Sequence, residues 1–213
     1  MRKLAVGLLW LLCASAALAQ SYANREEATR GLASAVAMQR ADAINWFAEN
    51  GRPSDTELLR ARLTDDNAMV RGFAEQALWS LWMRSGDKAV DALMTRGVDE
   101  MRAGDYKAAI ATFSQVIKKK PAFAEGWNKR ATVYYLTGEY KKSIADCDEV
   151  VKRNPHHFGA IAGFGQNYFE LKQYDKAIKY WRRALDENPN MITIEMNIDG
   201  TKELLEQQRK NSA

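Results

Sequence analysis

Tyr106, Ala109, Ile110, Phe113, Val116 and Ile117 recur at three- and four-residue steps, and thirty-four residues on the stripe returns as Tyr140, Ser143, Ile144, Cys147, Val150 and Val151. A third copy follows with Tyr174, Ala177, Ile178, Trp181, Ala184 and Leu185. Apolar positions so spaced share one face of a helix. Pro121, Pro155 and Pro189 end the stripes at the same interval, because the residue before a proline leaves the helical region and the ring cannot extend the hydrogen-bond ladder. Ahead of each stripe runs a first helix with a small residue, Gly97, Ala131 or Gly165, where its partner must approach. Gly104-Asp105, Gly138-Glu139 and Lys172-Gln173 fill the turns between the two helices. The pattern predicts helical pairs over 90–123, 124–157 and 158–191. Units of this length cannot bury their apolar faces alone, so the expected fold is all-α, a solenoid of antiparallel helix pairs.

The flanks continue the helical pattern. Ile194, Ile198, Thr201 and Leu205 mark one face of a helix within 192–213 that would cap the last pair, with Asp199-Gly200 as a weak point in its interior. Residues 20–89 show no strand alternation. Ser54 to Glu57 has capping-box spacing and predicts a helix running to Leu63, and Asp65-Asp66-Asn67 offers an N-cap to a further helix. A shift of thirty-four brings Val36, Ala43, Ile44 and Phe47 onto Val70, Ala77, Leu78 and Leu81.

The first nineteen residues change the expected setting. Met1-Arg2-Lys3, an apolar run from Leu4 to Ala16 and Ala17-Leu18-Ala19 read as a secretory signal cleaved after Ala19, which implies a periplasmic or secreted protein. The run is shorter than the ~20 apolar residues of a bilayer span, so no stable membrane anchor is expected after cleavage. Cleavage removes Cys13 and leaves Cys147 without a disulfide partner. It also removes Arg2 and Lys3, taking the formal charge from +4 to +2. The clusters Lys118-Lys119-Lys120, Lys141-Lys142 and Arg182-Arg183 are short and read as solvated or helix-terminal cations, not as a nucleic-acid footprint.

Catalytic chemistry finds little to stand on. His156 and His157, the only histidines, are adjacent in a turn and read as ordinary turn residues, since a metal site needs three or four converging ligands. Cys147 falls on a buried position, where a thiol is inert. Asp146, Asp148 and Glu149 are expected on the solvent side of their helix, where burial cannot tune a carboxyl. No catalytic, cofactor or metal residues are assigned, and a non-enzyme is expected.

Trp127, Ala131, Tyr134, Ser143, Cys147, Val150 and Pro155, with Gly165, Tyr168, Ala177, Trp181, Ala184 and Pro189 in the next copy, resemble the tetratricopeptide repeat. The first copy departs with Glu100 at an aromatic position. Residues 20–89 resemble HEAT-like repeats more weakly, through a turn aspartate followed by Val70-Arg71 and small and leucine positions. The tetratricopeptide resemblance implies a right-handed α-solenoid whose first helices line a concave groove. Carried over by position, the lining is Asp91, Met94, Val98, Met101 and Arg102, then Glu125, Asn128, Thr132, Tyr135 and Leu136, then Gly159, Ala162, Gln166, Phe169 and Glu170. Relatives that clamp a C-terminal carboxylate carry a cation at the fifth position, where this chain has Met94, Asn128 and Ala162. The implied groove is instead an apolar floor of Met94, Met101, Tyr135, Leu136 and Phe169, with Asn128 and Gln166 as hydrogen-bonding points for an amphipathic helix or extended peptide. Arg96 and Arg130 are expected to pair with acids between repeats. The resemblance implies a non-catalytic protein-interaction scaffold, with envelope assembly as one setting. The alternative is a self-assembling scaffold whose groove is filled by its own N-terminal helices or by another subunit, and homo-oligomerisation stays open.

Overall fold

The structure, a computed structural model, describes residues 22–211; the expected signal segment and Cys13 lie outside them. Among the described residues no helix is long and apolar enough to cross a membrane. Four helices come first: α1 (Arg25–Gly31), α2 (Ala37–Asn50), α3 (Thr56–Arg60) and α4 (Ala68–Trp82). Three pairs follow, α5 (Lys88–Arg102) with α6 (Tyr106–Lys119), α7 (Ala124–Leu136) with α8 (Tyr140–Arg153), and α9 (Phe158–Glu170) with α10 (Tyr174–Glu187), and α11 (Ile192–Asn211) covers the last pair.

The small positions set how closely the pairs approach. A Cβ on Gly97 would lie 2.6 Å from Phe113 Cε1, and one on Gly165 would lie 2.3 Å from Trp181 Cδ1. In the first and third pairs the aromatic of the second helix therefore rests on bare backbone of the first, and in the middle pair the smaller Cys147 meets Ala131. The three stripes become the buried faces of the second helices, led by Phe113, Cys147 and Trp181. Burial, with the nearby Asp146 charge, pushes the Cys147 thiol up to about 12, so it stays protonated.

The turns within the pairs share one geometry despite different residues. Gly104 and Gly138 have φ of 79° and 76°, and Lys172 takes the same left-handed conformation at 57°. In each turn the following amide bonds back to a carbonyl of the first helix: Asp105 to Glu100, Glu139 to Tyr134 and Gln173 to Tyr168. A side chain in that region costs about 1–2 kcal/mol, and the extra freedom glycine gives the unfolded chain returns part of it. Lys172→Gly is therefore expected to stabilise the protein by about 0.5–1 kcal/mol, read as a rise of a few degrees in melting temperature; an unchanged or lower value would contradict the strain.

The N-terminal helices pack around Ile44, Phe47, Leu59, Leu63, Val70, Leu78 and Leu81, and Phe158 of the third pair is buried in the same cluster. The helices α2 and α4 run parallel. At their starts Arg40 donates to Asp65 at 2.6 and 2.8 Å and to Asp66 at 2.5 Å, and at their ends Ser80 Oγ donates to the Ala48 carbonyl at 3.3 Å. Asn67 caps α4 by accepting from the Met69 amide at 3.0 Å. Two expectations are corrected in this region. The helix foreseen from Ser54 to Leu63 is only Thr56–Arg60, preceded by a 3-10 turn over Pro53–Asp55, because buried Asp55 and not Ser54 organises the start by accepting from the Arg52 amide at 2.8 Å. Val36, aligned with buried Val70, is exposed at the N-terminal cap of α2.

These helices lie along one edge of the repeat stack, the edge made by the turns that follow the second helices. Lys120, after α6, donates to the Ser85 carbonyl. Trp82 stacks on His157, after α8, with ring centroids 4.3 Å apart. After α10, Arg60 reaches Glu187 at 2.7 Å, Arg71 donates to Asn190 Oδ1 at 2.7 Å, and Asn190 Nδ2 donates to the Leu63 carbonyl at 2.8 Å. The capping helix α11 runs unbroken through Asp199-Gly200, with Ile194, Ile198 and Thr201 buried.

Candidate binding groove

The first helices α5, α7 and α9 carry the expected lining, and the structure divides it. Tyr135, Gln166, Phe169 and Glu170 come together at the C-terminal ends of α7 and α9, where Trp181 and the Met196, Asn197, Gly200, Thr201 and Leu204 side of α11 complete a crevice of about 350 Å³. Phe169 is fixed between Tyr174 and Trp181, with centroids 5.4 and 5.8 Å away. Tyr135 and Tyr140 lie 5.8 Å apart, and the Tyr140 hydroxyl sits 3.4 Å from the Glu170 carboxylate. Partial burial and the Glu170 charge raise both phenols above their usual range, so each remains a hydrogen-bond donor. A smaller hollow of about 80 Å³ continues from Tyr135 and Gln166 to Asn128, Thr132 and Gly159.

Other expected lining residues are placed elsewhere. Met94 is only 1% exposed and packs with Val90, Phe113, Val116 and Val133, so it is a core residue and not a groove floor. Ala162 is covered because α11 brings Ile194 and Ile198 into the same cluster. Val98 and Met101 are half-buried on the α5–α6 core, and Arg102 is exposed outside the crevice. Leu136 is 49% exposed beyond its rim. Asn128 is nearly buried and donates to Glu125 at 3.1 Å, and the Thr132 hydroxyl donates to the Asn128 carbonyl at 3.0 Å. The α11 contribution escaped the sequence reading, although Met196, Gly200 and Leu204 fall at four-residue steps and mark a second face of that helix.

The opposite end of the lining is occupied by the chain itself. Trp79 of α4 lies against Gly159, where a Cβ would be 2.3 Å from its Cη2. Glu125, at the matching position of α7, is fully buried and accepts from Lys129 at 3.0 Å and from His157 at 3.0 Å. His157 Nδ1 accepts the Ala160 amide at 3.1 Å as the N-cap of α9. That bond places the ring proton on Nε2, which donates to Glu125. Burial alone would raise the Glu125 carboxyl, but His157 and Lys129 hold it at about 2. His157 is thus corrected from an ordinary turn residue to a buried link between α7, α9 and the N-terminal helices. No sequence signal marked this role, since histidine is not among the residues that favour an N-cap.

Two charge assignments also change. Asp146, expected at the surface, is buried and receives a two-pronged contact from Arg130 at 2.7 and 2.8 Å. Arg130 bonds within its own pair and also to Ser114 of the preceding one at 3.0 Å. Arg96 bonds Glu100 at 2.7 Å along its own helix and not across repeats. Thr112 and Arg96 keep the Glu100 carboxyl below its usual range, which accounts for a carboxylate at an aromatic position.

Comparison with known proteins agrees with this geometry. Tetratricopeptide-repeat family models match residues 94–157 and 162–191. A TPR repeat-containing protein of Rhizobium etli is 31% identical over 121 residues, 55% of this chain and 58% of that protein, so the chain spans little more than half the length of this relative. Among solved structures, the Sgt2 TPR domain of Aspergillus fumigatus superposes with a TM-score of 0.56 at 20% identity, over 60% of this chain and 85% of that one. The first TPR of RPAP3, bound to an HSP90 peptide, gives 0.53 at 22% identity over 55% and 92%. MamA of Desulfovibrio magneticus gives 0.52 at 22% identity over 74% and 89%. At these identities the likeness concerns the fold. Register, paired helices and family matches together make residues 94–157 and 162–191 of this chain tetratricopeptide repeats.

Proposed function

We propose that the chain is a non-catalytic interaction module that holds a segment of a protein partner in the crevice between α7, α9 and α11. The observation that carries this reading is the crevice itself: apolar and aromatic walls from Tyr135, Phe169, Met196 and Leu204, with Gln166 and Asn197 as polar points, at the uncovered end of the concave face. Two of the structural neighbours are described as bound to chaperone peptides, RPAP3 to an HSP90 peptide and yeast Sti1 to an Hsp70 one, and peptide capture is the use we carry over. The leader over 1–19 supports work outside the cytoplasm, in the periplasm or the medium, and envelope assembly is the process we favour.

One experiment covers these points. The secreted protein is recovered, its first residue is read by mass spectrometry, its mass is measured by light scattering, and its partners are captured from envelope extract and medium. A chain starting at Gln20 and a partner that binds at least about tenfold more weakly to Tyr135→Ala/Phe169→Ala are expected. A start at Met1 would overturn export. Unchanged partner affinity would overturn the crevice, and a concentration-dependent mass that the double substitution abolishes would replace it with self-assembly.

A further inference from the structure

The crevice has a charge feature that fold stability does not explain. Glu170 is the last residue of α9 and is exposed. A carboxylate there faces the negative end of the helix dipole, a placement that disfavours the helix. Among the described residues Glu170 makes no ion pair; its polar neighbours are the phenols of Tyr135 and Tyr140. The crevice lining contains no lysine, arginine or histidine. The α7 and α9 helices both end at this corner, so their terminal carbonyls add partial negative charge to that of Glu170. The ring faces of Tyr135 and Phe169 add two more surfaces that attract cations.

From this charge complementarity the geometry points to a basic peptide as the occupant: a lysine or arginine set against Glu170 and the Tyr135 ring, with a neighbouring aliphatic side chain between Met196 and Leu204. This rests on the crevice being the binding site, as proposed above. The formal charge, +4 for the full sequence and +2 without Arg2 and Lys3, would repel such a peptide at long range, so any preference must arise locally. The inference also separates this chain from a neighbour described as bound to the acidic peptide SRMEEVD, since positions Met94, Asn128 and Ala162 supply no cation to receive a carboxylate.

The test titrates the full mature chain with three fluorescent peptides of equal length, an Ala-Leu-Lys repeat and its Gln and Glu counterparts. The Lys peptide is expected to bind about tenfold tighter than the Gln peptide at low salt, with the Glu peptide weakest. The advantage should shrink as salt rises and vanish in Glu170→Gln, whose exposed site leaves the fold intact. Equal binding of Lys and Gln peptides, still abolished by Phe169→Ala, overturns the cation inference and leaves the crevice reading standing. Binding of all three that is indifferent to Phe169→Ala overturns both. A Lys preference that survives Glu170→Gln overturns the assignment to this corner.

Discussion

His157→Ala is expected to destabilise the protein by about 3–5 kcal/mol, although sequence alone places this histidine in a turn. Several losses add up. The Ala160 amide loses its acceptor, and removal of an N-cap costs about 1 kcal/mol. Glu125 loses the Nε2–H donor at 3.0 Å while staying fully buried, and a charge short of a partner in that setting costs about 1–3 kcal/mol or more. Trp82 loses the ring stacked 4.3 Å away, and Trp79 loses an edge contact at 5.4 Å. Urea titration of the single substitution and of His157→Ala/Glu125→Gln checks the account. The double variant should lose clearly less than the sum of the singles, because removing the charge removes the need for its donor. Additive losses would mean that the two side chains do not act together.

The second large effect is on acid stability. The Glu125 carboxyl lies near 2 in the fold against an ordinary 4.5, with Lys129 and His157 outweighing the effect of burial. A lowered folded value means that the native state favours the ionised form. Its contribution is therefore complete above about pH 4.5 and drains away as pH falls towards 2, with an order of magnitude of 3 kcal/mol. Unfolding free energy measured from pH 5 to pH 2 should fall more steeply in the natural chain than in Glu125→Gln, whose side chain does not titrate. Parallel curves would assign the acid sensitivity to other carboxylates. Because Glu125 holds the turn against which Trp79 and Trp82 dock, tryptophan fluorescence should report the same transition.

How much of the fold is legible in the sequence follows from which forces are periodic. Stripes such as Tyr174, Ala177, Ile178 and Trp181 repeat because every pair must bury the same face, and Gly97 and Gly165 are small because an aromatic rests on them. These constraints are local, so spacing exposes them. The crevice was half legible. Tyr135, Gln166, Phe169 and Glu170 follow from repeat register, while Met196 and Leu204 come from α11, which has no counterpart to align with. Met94 failed because its register position is buried in all three pairs, at Met94, Asn128 and Ala162 alike, and Val90, Phe113, Val116 and Val133 close over this methionine. The Glu125–His157 contact joins residues thirty-two apart in sequence, and Asp146 meets Arg130 across a helical hairpin. Pairings of this kind leave no period to find.

The contact of the N-terminal helices with the turns after α6, α8 and α10 bears on how the stack comes apart. A plain repeat array melts like a row of dominoes in which each unit answers only to its neighbours, so the ends fray while the middle holds. Here one body grips the array at three points along its length, through Ser85, Trp82 and Arg71. No pair can open without pulling on the brace that also secures the other two. The brace ties distant units into one cooperative transition and fixes the curvature of the stack, so a ligand meets a concave face of set width instead of a spring.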